Sequence, residues 1–146
     1  MFVGSYTHAI DAKGRINVPR RFLDPLESSG EARRFFATQG LEGCVFLFLK
    51  VQWLAVVEQV RANSLGSEEA RAFSRRFFAS TRELDVDSAG RILLPKELRD
   101  FAGIGAEALF VGVDTRIEIW SPARWSNHDA RHGPKYEEHA KGIFRA

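Results

Sequence analysis

Two short runs in this chain carry residue types suited to gripping a nucleic acid. The first is Asp11-Ala12-Lys13-Gly14-Arg15-Ile16-Asn17-Val18-Pro19-Arg20-Arg21, and the second, 76 residues on, is Asp87-Ser88-Ala89-Gly90-Arg91-Ile92-Leu93-Leu94-Pro95-Lys96-Glu97. Asp, Gly, Arg, Ile and Pro recur at matching places, so the chain contains a duplication, and a duplication constrains architecture before any local propensity does. Asp-x-x-Gly is a type I turn signature in which the carboxylate bonds the backbone ahead and Gly takes a left-handed conformation. With apolar alternation on both sides, the turn predicts a β-hairpin with a bulge at Gly14 or Gly90. Arg15 and Arg91 then stand at the start of each returning strand. Pro19 and Pro95 end those strands and preset the first turn of a helix.

A guanidinium at a stiff tip can reach a guanine edge with two hydrogen bonds, and a two-stranded ribbon fits the major groove. Lys13, Arg20 and Arg21 would hold phosphates around Arg15. The plainer alternative is that Arg15 caps its own turn by pairing with Asp11. The second tip lacks a lysine and carries Asp85 and Asp87, so the first copy is expected to read DNA. The second is expected mainly to complete the fold and build subunit contacts, with Arg91 a possible second tip.

Other chemistries have little support. No phosphate-binding loop precedes either Asp-x-x-Gly, which sets aside a GTPase. His128 and His132 stand four apart, but Gly133-Pro134 ends a helix there and no third ligand is evident, so solvent-exposed histidines are expected. Ser, His and Asp are scattered without a nucleophile elbow. No catalytic residue, metal, cofactor or small-molecule substrate is assigned. Cys44 lies in the apolar run Val45-Phe46-Leu47-Phe48 and reads as a buried thiol in a reducing compartment. The many phenylalanines read as core and interface rather than as a base-stacking platform.

The elements that must position these tips come in two sets. The first copy predicts strands at 5–10 and 15–18, one helical turn over Arg20–Leu23 limited by Pro25 and Ser28-Ser29-Gly30, and strands at 35–38 and 44–49. A helix from Val51 should bury Trp53, Leu54, Val57 and Val60. A second helix, capped by Ser67, should bury Ala70, Phe73 and Phe77. The second copy predicts strands at 82–86, 91–94, 107–112 and 116–120, with a helix from Pro95 to Ala102 stopped by Gly103. Ser121-Pro122 opens a helix through Trp125, which matches Trp53 after the last strand of each copy. Beyond Gly133-Pro134 the chain is polar and should be loosely held. Residues 5–52 and 81–124 are thus expected as two repeated domains, 53–80 as a helical bridge and 125–146 as a C-terminal helix and tail. Neither small β unit can cover its own apolar face, so interleaving the copies would bury both.

Composition agrees with a packed interior: 146 residues, 45% hydrophobic, with 12 Phe and 3 Trp. The net charge is only +2, so nucleic-acid binding must come from distribution rather than total. Between Met1 and Phe22 the sole acid is Asp11, against Lys13, Arg15, Arg20 and Arg21. No signal peptide is apparent and no apolar run approaches the ~20 residues of a membrane helix, so a cytoplasmic protein without membrane contact is expected.

The opening Met1-Phe2-x-Gly4, the run His8-x-Ile10-Asp11-x-Lys13-Gly14-Arg15-Ile16-x-Val18-Pro19, and the second copy with Ile92-Leu93-Leu94-Pro95 and Ile117-Glu118-Ile119-Trp120 resemble the MraZ family. That family carries two tandem AbrB/SpoVT-like domains, and the resemblance covers roughly residues 1–125. It implies a mainly β fold with short helices (α+β), two swapped-hairpin units fused into an intrachain pseudo-dimeric β-barrel bridged by helices. It also implies a nucleoid-associated transcriptional regulator, assembled as a homo-oligomeric ring on promoter direct repeats of the division and cell-wall gene cluster. The family's Asp-x-x-x-Arg maps onto Asp11 and Arg15, while Leu23 stands where a basic residue is common. An oligomer is also expected on charge grounds. One tip neutralises few phosphates, whereas tight salt-sensitive binding takes ~6–10, which several tethered subunits would supply. Two rivals remain: an AbrB-like antitoxin or interaction module whose tail wraps a partner, and an enzyme on a barrel scaffold.

Overall fold

The structure, a computed structural model, describes residues 1–28 and 32–144. Each copy opens with a strand, turns and returns: β1 (Ser5–Ala9) and β2 (Arg15–Asn17), then β5 (Arg82–Asp85) and β6 (Arg91–Leu93). Each returning strand leads into a helix, α1 (Arg20–Ser28) or α4 (Lys96–Ala102). A strand pair follows, β3 (Arg34–Gln39) with β4 (Val45–Phe48), and β7 (Glu107–Val113) with β8 (Arg116–Trp120). Helices α2 (Lys50–Asn63) and α3 (Glu68–Ala79) join the copies. After the second copy come α5 (Pro122–His132), a 3-10 turn (Gly133–Lys135) and α6 (Tyr136–Ala140). Helical residues outnumber strand residues among those described, so the architecture is mixed α+β rather than mainly β.

The pairing crosses between copies. Six strands form an antiparallel sheet in the order β1-β7-β8-β4-β3-β5. Thus β1 of the first copy lies on β7 of the second, and β5 of the second lies on β3 of the first. The returning strands pair with each other as a separate ribbon centred on Ile16↔Ile92. Among the described residues, the pairing of the β1 segment with β2 is limited to the isolated bridge Ile10↔Ile16. Among the described residues no ladder joins ribbon to sheet, so the sheet stays open and the expected closed barrel is not formed.

Strand parity explains the layers, because alternate residues face opposite sides of a sheet. Phe35, Ala37, Val45, Leu47, Ala108, Phe110, Ile117 and Ile119 turn to one side. There they meet Ile16 and Ile92 of the ribbon, Phe22 and Leu26 of α1, and Leu98 and Ala102 of α4 in one core. Residues of opposite parity serve the other side: Phe48 packs with Trp53 and Phe77, and Leu109 with Trp120 and Cys44. Residues 76 apart (Ile16 and Ile92, Val18 and Leu94, Phe22 and Leu98, Leu26 and Ala102) share the central core. This central core belongs to neither copy alone.

Several local expectations change. Helix α1 runs nine residues through Pro25 instead of stopping after one turn. A proline there removes one backbone bond, to the Arg21 carbonyl. Arg21 is exposed, so water can satisfy that carbonyl. The expected stop at Ser29-Gly30 lies outside the described residues. Leu54 and Phe73, expected inside, are 51% and 44% exposed, because Phe36, Phe48 and Phe77 already surround the Trp53 ring. Helix α5 continues to His132, and the chain stays helical to Ala140 rather than trailing loosely. Pro134 permits this because it falls in the first turn of the 3-10 segment, where its missing N–H is not needed. Cys44 is fully buried, its Sγ donating to the Leu41 carbonyl at 3.3 Å, and burial pushes its thiol well above the ordinary range. No described helix is long and apolar enough to cross a membrane.

Candidate nucleic-acid interface

Each tip is fixed by one carboxylate. Asp11 Oδ1 accepts the backbone N–H groups of Lys13 and Arg15, both at 2.9 Å, and Oδ2 accepts Arg15 Nε at 2.8 Å. Asp87 does the same with Ala89 N, Arg91 N and Arg91 Nε, all at 2.9 Å. The Asp11 and Asp87 carbonyls accept from Gly14 and Gly90, each at 3.0 Å. These glycines have φ of 89° and 80°, a region closed to most side chains.

The tips are also tied across the copies. Leu94 N donates to Gly14 O at 2.9 Å, and Val18 N donates to Gly90 O at 3.0 Å. The ribbon therefore has a local twofold about Ile16 and Ile92, whose side chains are buried. By alternation, Arg15, Asn17, Arg91 and Leu93 share the opposite face. Arg15 and Arg91 thus stand on one surface rather than on separate parts of the molecule. Sequence reasoning missed this, because cross-copy register leaves no mark in either run.

Both Asp–Arg pairs form, and pairing does not use up the arginines. Only Nε is engaged in each, so both terminal nitrogens of Arg15 and of Arg91 remain free of hydrogen bonds among the described residues. The carboxylate turns the guanidinium outward and leaves its fork open, the geometry needed for a base edge or a phosphate. The Arg15 backbone N–H first of all, with the Arg15 side chain and the Lys13 N–H adding to it, holds the Asp11 carboxyl down to about 2, against a desolvation that exceeds either of the lesser bonds taken alone. The sign follows from linkage: the contribution is present above the ordinary carboxylate value of 3.8 and is lost only as pH falls through about 2. Asp87 is lowered by the matching bonds from Arg91 and Ala89. Both carboxylates therefore stay charged at physiological pH.

Lys13, Arg20 and Arg21 are exposed. Lys13 sits on the first tip and the arginines at the start of α1, just past β2. Around the second tip an open cleft of about 570 Å³ is lined by residues including Arg20, Leu23, Arg33 and Ser88 to Gly90.

His128 and His132 are half-buried, not solvent-exposed as expected. The His128 ring lies against Trp120 and Trp125 and is 4.6 Å from His132, which in turn is 5.7 Å from His139 (ring centroids). Among the described residues no group of three or more His, Cys, Asp or Glu is arranged to hold a metal ion. Desolvation first, then His128, lowers the His132 value below 6.5. A depressed histidine favours folding while neutral, so its contribution is full above 6.5 and lost as pH falls below. Amide protection factors across 122–140, corrected for the intrinsic slowing of exchange, should therefore fall between roughly pH 7 and 5, ahead of those of the β2–β6 ribbon. Equal protection at both pH values would refute this.

The chain matches one family model twice, over residues 1–76 and 77–141, and that model is described as "MraZ protein, putative antitoxin-like". It is similar to the "Transcriptional regulator MraZ" of Heliobacterium modesticaldum, 44% identical over 144 residues, covering 99% of this chain and 97% of that one. The corresponding protein of Carboxydothermus hydrogenoformans is 43% identical over 141 residues, covering 97% and 95%. That of Symbiobacterium thermophilum is 41% identical over 141 residues, covering 97% and 99%.

Proposed function

The chain belongs to the MraZ family, and from that premise we propose that it is a transcriptional regulator that reads double-stranded DNA with its β2–β6 ribbon. The observation that carries this reading is the pair of open guanidinium forks, Arg15 and Arg91, held on one ribbon face by Asp11 and Asp87. A rigid antiparallel ribbon enters the major groove as a unit. Arg15 reads a guanine edge, and Lys13, Arg20 and Arg21 engage phosphates and set register. Arg91 approaches the same groove from the second copy, whose own turn has Ala89 in place of Lys13. Residues 5–52 and 81–124 act as the repeated DNA-facing units, 53–80 as their bridge and 125–146 as the C-terminal extension.

Affinity requires more than one subunit. A single ribbon offers a handful of cations, short of the ~6–10 phosphate contacts of salt-sensitive binding. A homo-oligomeric ring would set successive ribbons on successive promoter direct repeats and gain effective concentration without new contacts. The natural target is the promoter of the division and cell-wall gene cluster, in the nucleoid of the cytoplasm.

A footprint on the upstream region of this gene, repeated from about 50 to 200 mM salt, tests the reading. Protected blocks should recur at a fixed spacing, and affinity should fall steeply with salt. Protection without any repeat spacing would sink it.

A further inference from the structure

We infer that Asn17 is a specificity-determining residue that reads an adenine edge near the guanine read by Arg15, and that its counterpart Leu93 meets a thymine methyl. The inference rests on the DNA-reading role of the ribbon and deepens it, since the reading face then has four side chains instead of two. In each ribbon strand one side chain turns inward, Ile16 or Ile92, both 1% exposed. The outward residues face each other in two pairs, Arg15 with Leu93 and Asn17 with Arg91. Both pairs lie between the bond from Leu94 N to Gly14 O and the bond from Val18 N to Gly90 O, one residue inside each. In an antiparallel ladder these are non-hydrogen-bonded positions, where facing side chains stand closest. Each guanidinium therefore has a near neighbour across the ribbon, apolar for Arg15 and an amide for Arg91.

Asn17 is exposed, and its side-chain amide has no hydrogen-bond partner among the described residues. Its backbone, by contrast, is held from β1, because His8 Nδ1 donates to the Asn17 carbonyl. A short side chain on a fixed backbone has little freedom to lose when it docks. A carboxamide also has the matching chemistry: its oxygen accepts from the adenine N6 amino group while its NH2 donates to N7. Two residues along a strand span about 6.7 Å, roughly two base steps of a duplex. Arg15 and Asn17 therefore address different base pairs.

The second copy keeps the arginine and changes its companions. The residue 76 positions after Asn17 is Leu93, 55% exposed on the same face. The residue 76 positions after His8 is Leu84, which is buried and has no ring nitrogen to hold the strand. Leucine offers a base edge no hydrogen bond, and the apolar feature of the major groove is the thymine C5-methyl group. The local twofold of the backbone thus carries one amide and one apolar side chain at equivalent places, and the two halves ask for different bases.

The test uses the full chain in its native assembly on its own promoter DNA, with each base pair of one repeat replaced in turn. Wild type should prefer adenine at one position, and Asn17→Ala should lose that preference, a change of about 5- to 150-fold for one bidentate contact. The guanine preference set by Arg15 should stand. Asn17→Asp should move the same position toward cytosine, whose N4 amino group donates to a carboxylate. An asparagine that only faces solvent would move no base preference. Uracil in place of the contacted thymine should weaken wild type about fourfold, as expected for one buried methyl group, and leave Leu93→Ala unaffected. A uracil effect that persists in Leu93→Ala would remove Leu93 from the reading face. An unaltered base profile in an Asn17→Ala variant that melts like wild type, or equal loss at every position, would overturn the inference. Arg15→Ala is run beside these variants. If it still discriminates the promoter, the DNA-reading role of the ribbon has failed; if it does not, and Asn17→Ala keeps the wild-type profile, only the Asn17 assignment has.

Discussion

Arg15→Ala abolishes promoter recognition while the chain folds and assembles as before. The expectation follows from how little Arg15 does for the fold and how much it offers outside it. Its one side-chain bond is to Asp11 on the surface, and exposed ion pairs contribute little to stability. Asp11 keeps its bonds to the backbone of Lys13 and residue 15, so the turn should survive. What disappears is a forked donor, and each good bidentate base contact is worth about 1–3 kcal/mol of discrimination. Multiplied over the subunits engaged on successive repeats, that loss removes specific binding and leaves a weak, salt-sensitive background. A gel-shift with promoter and scrambled DNA, beside a melting curve, checks both halves. Wild-type discrimination, or a collapsed melting curve, would contradict it. Arg91→Ala should cost less, since its turn has Ser88 and Ala89 where the first has Ala12 and Lys13.

Phe22→Ala should do the reverse, costing stability first. Phe22 is 1% exposed and meets Phe2 and Tyr6 edge-on at centroid distances of 5.4 and 5.5 Å. Removing a buried phenyl ring costs about 3–5 kcal/mol, part transfer and part cavity. Against a total of about 5–15 kcal/mol for an ordinary domain, that lowers the midpoint of thermal unfolding by about 10 °C. Phe22 lies in the first turn of α1, just after the ribbon, and touches Phe2 and Tyr6 near the chain start. The cavity therefore opens beneath the ribbon that is proposed to read DNA. Urea and thermal melts give the size of the effect. A loss under about 1 kcal/mol, below the range for large aromatic truncations, would mean the site collapses without leaving a void.

The doubled Asp-x-x-Gly-Arg made both turns legible in the sequence, because everything that shapes them lies within five residues: a carboxylate, two N–H groups ahead of it and a glycine. Strand identities were legible for the same local reason. The open sheet and its order were not, since the partner of β1 is β7 and the partner of β2 is β6. Nothing near Ser5 or Arg15 encodes a partner about a hundred or about seventy-five residues away. Pro25 misled because a lost backbone bond ends a helix only where the orphaned carbonyl cannot find water, and Arg21 faces water. Leu54 misled because periodicity assigns a face to a helix without saying how wide the covered stripe is.

The shared interior and the unequal tips bear on direction. A dimer of identical chains repeats every substitution on both sides, so it lies equally well either way round and suits inverted sites. Joining the two halves in one chain frees each to drift separately while the backbone frame stays nearly twofold. A small apolar residue can then replace a cation at one end only, as Ala89 does for Lys13. A reader so marked distinguishes upstream from downstream, which is what a row of head-to-tail sites demands and what a mirror-like pair of arms cannot supply.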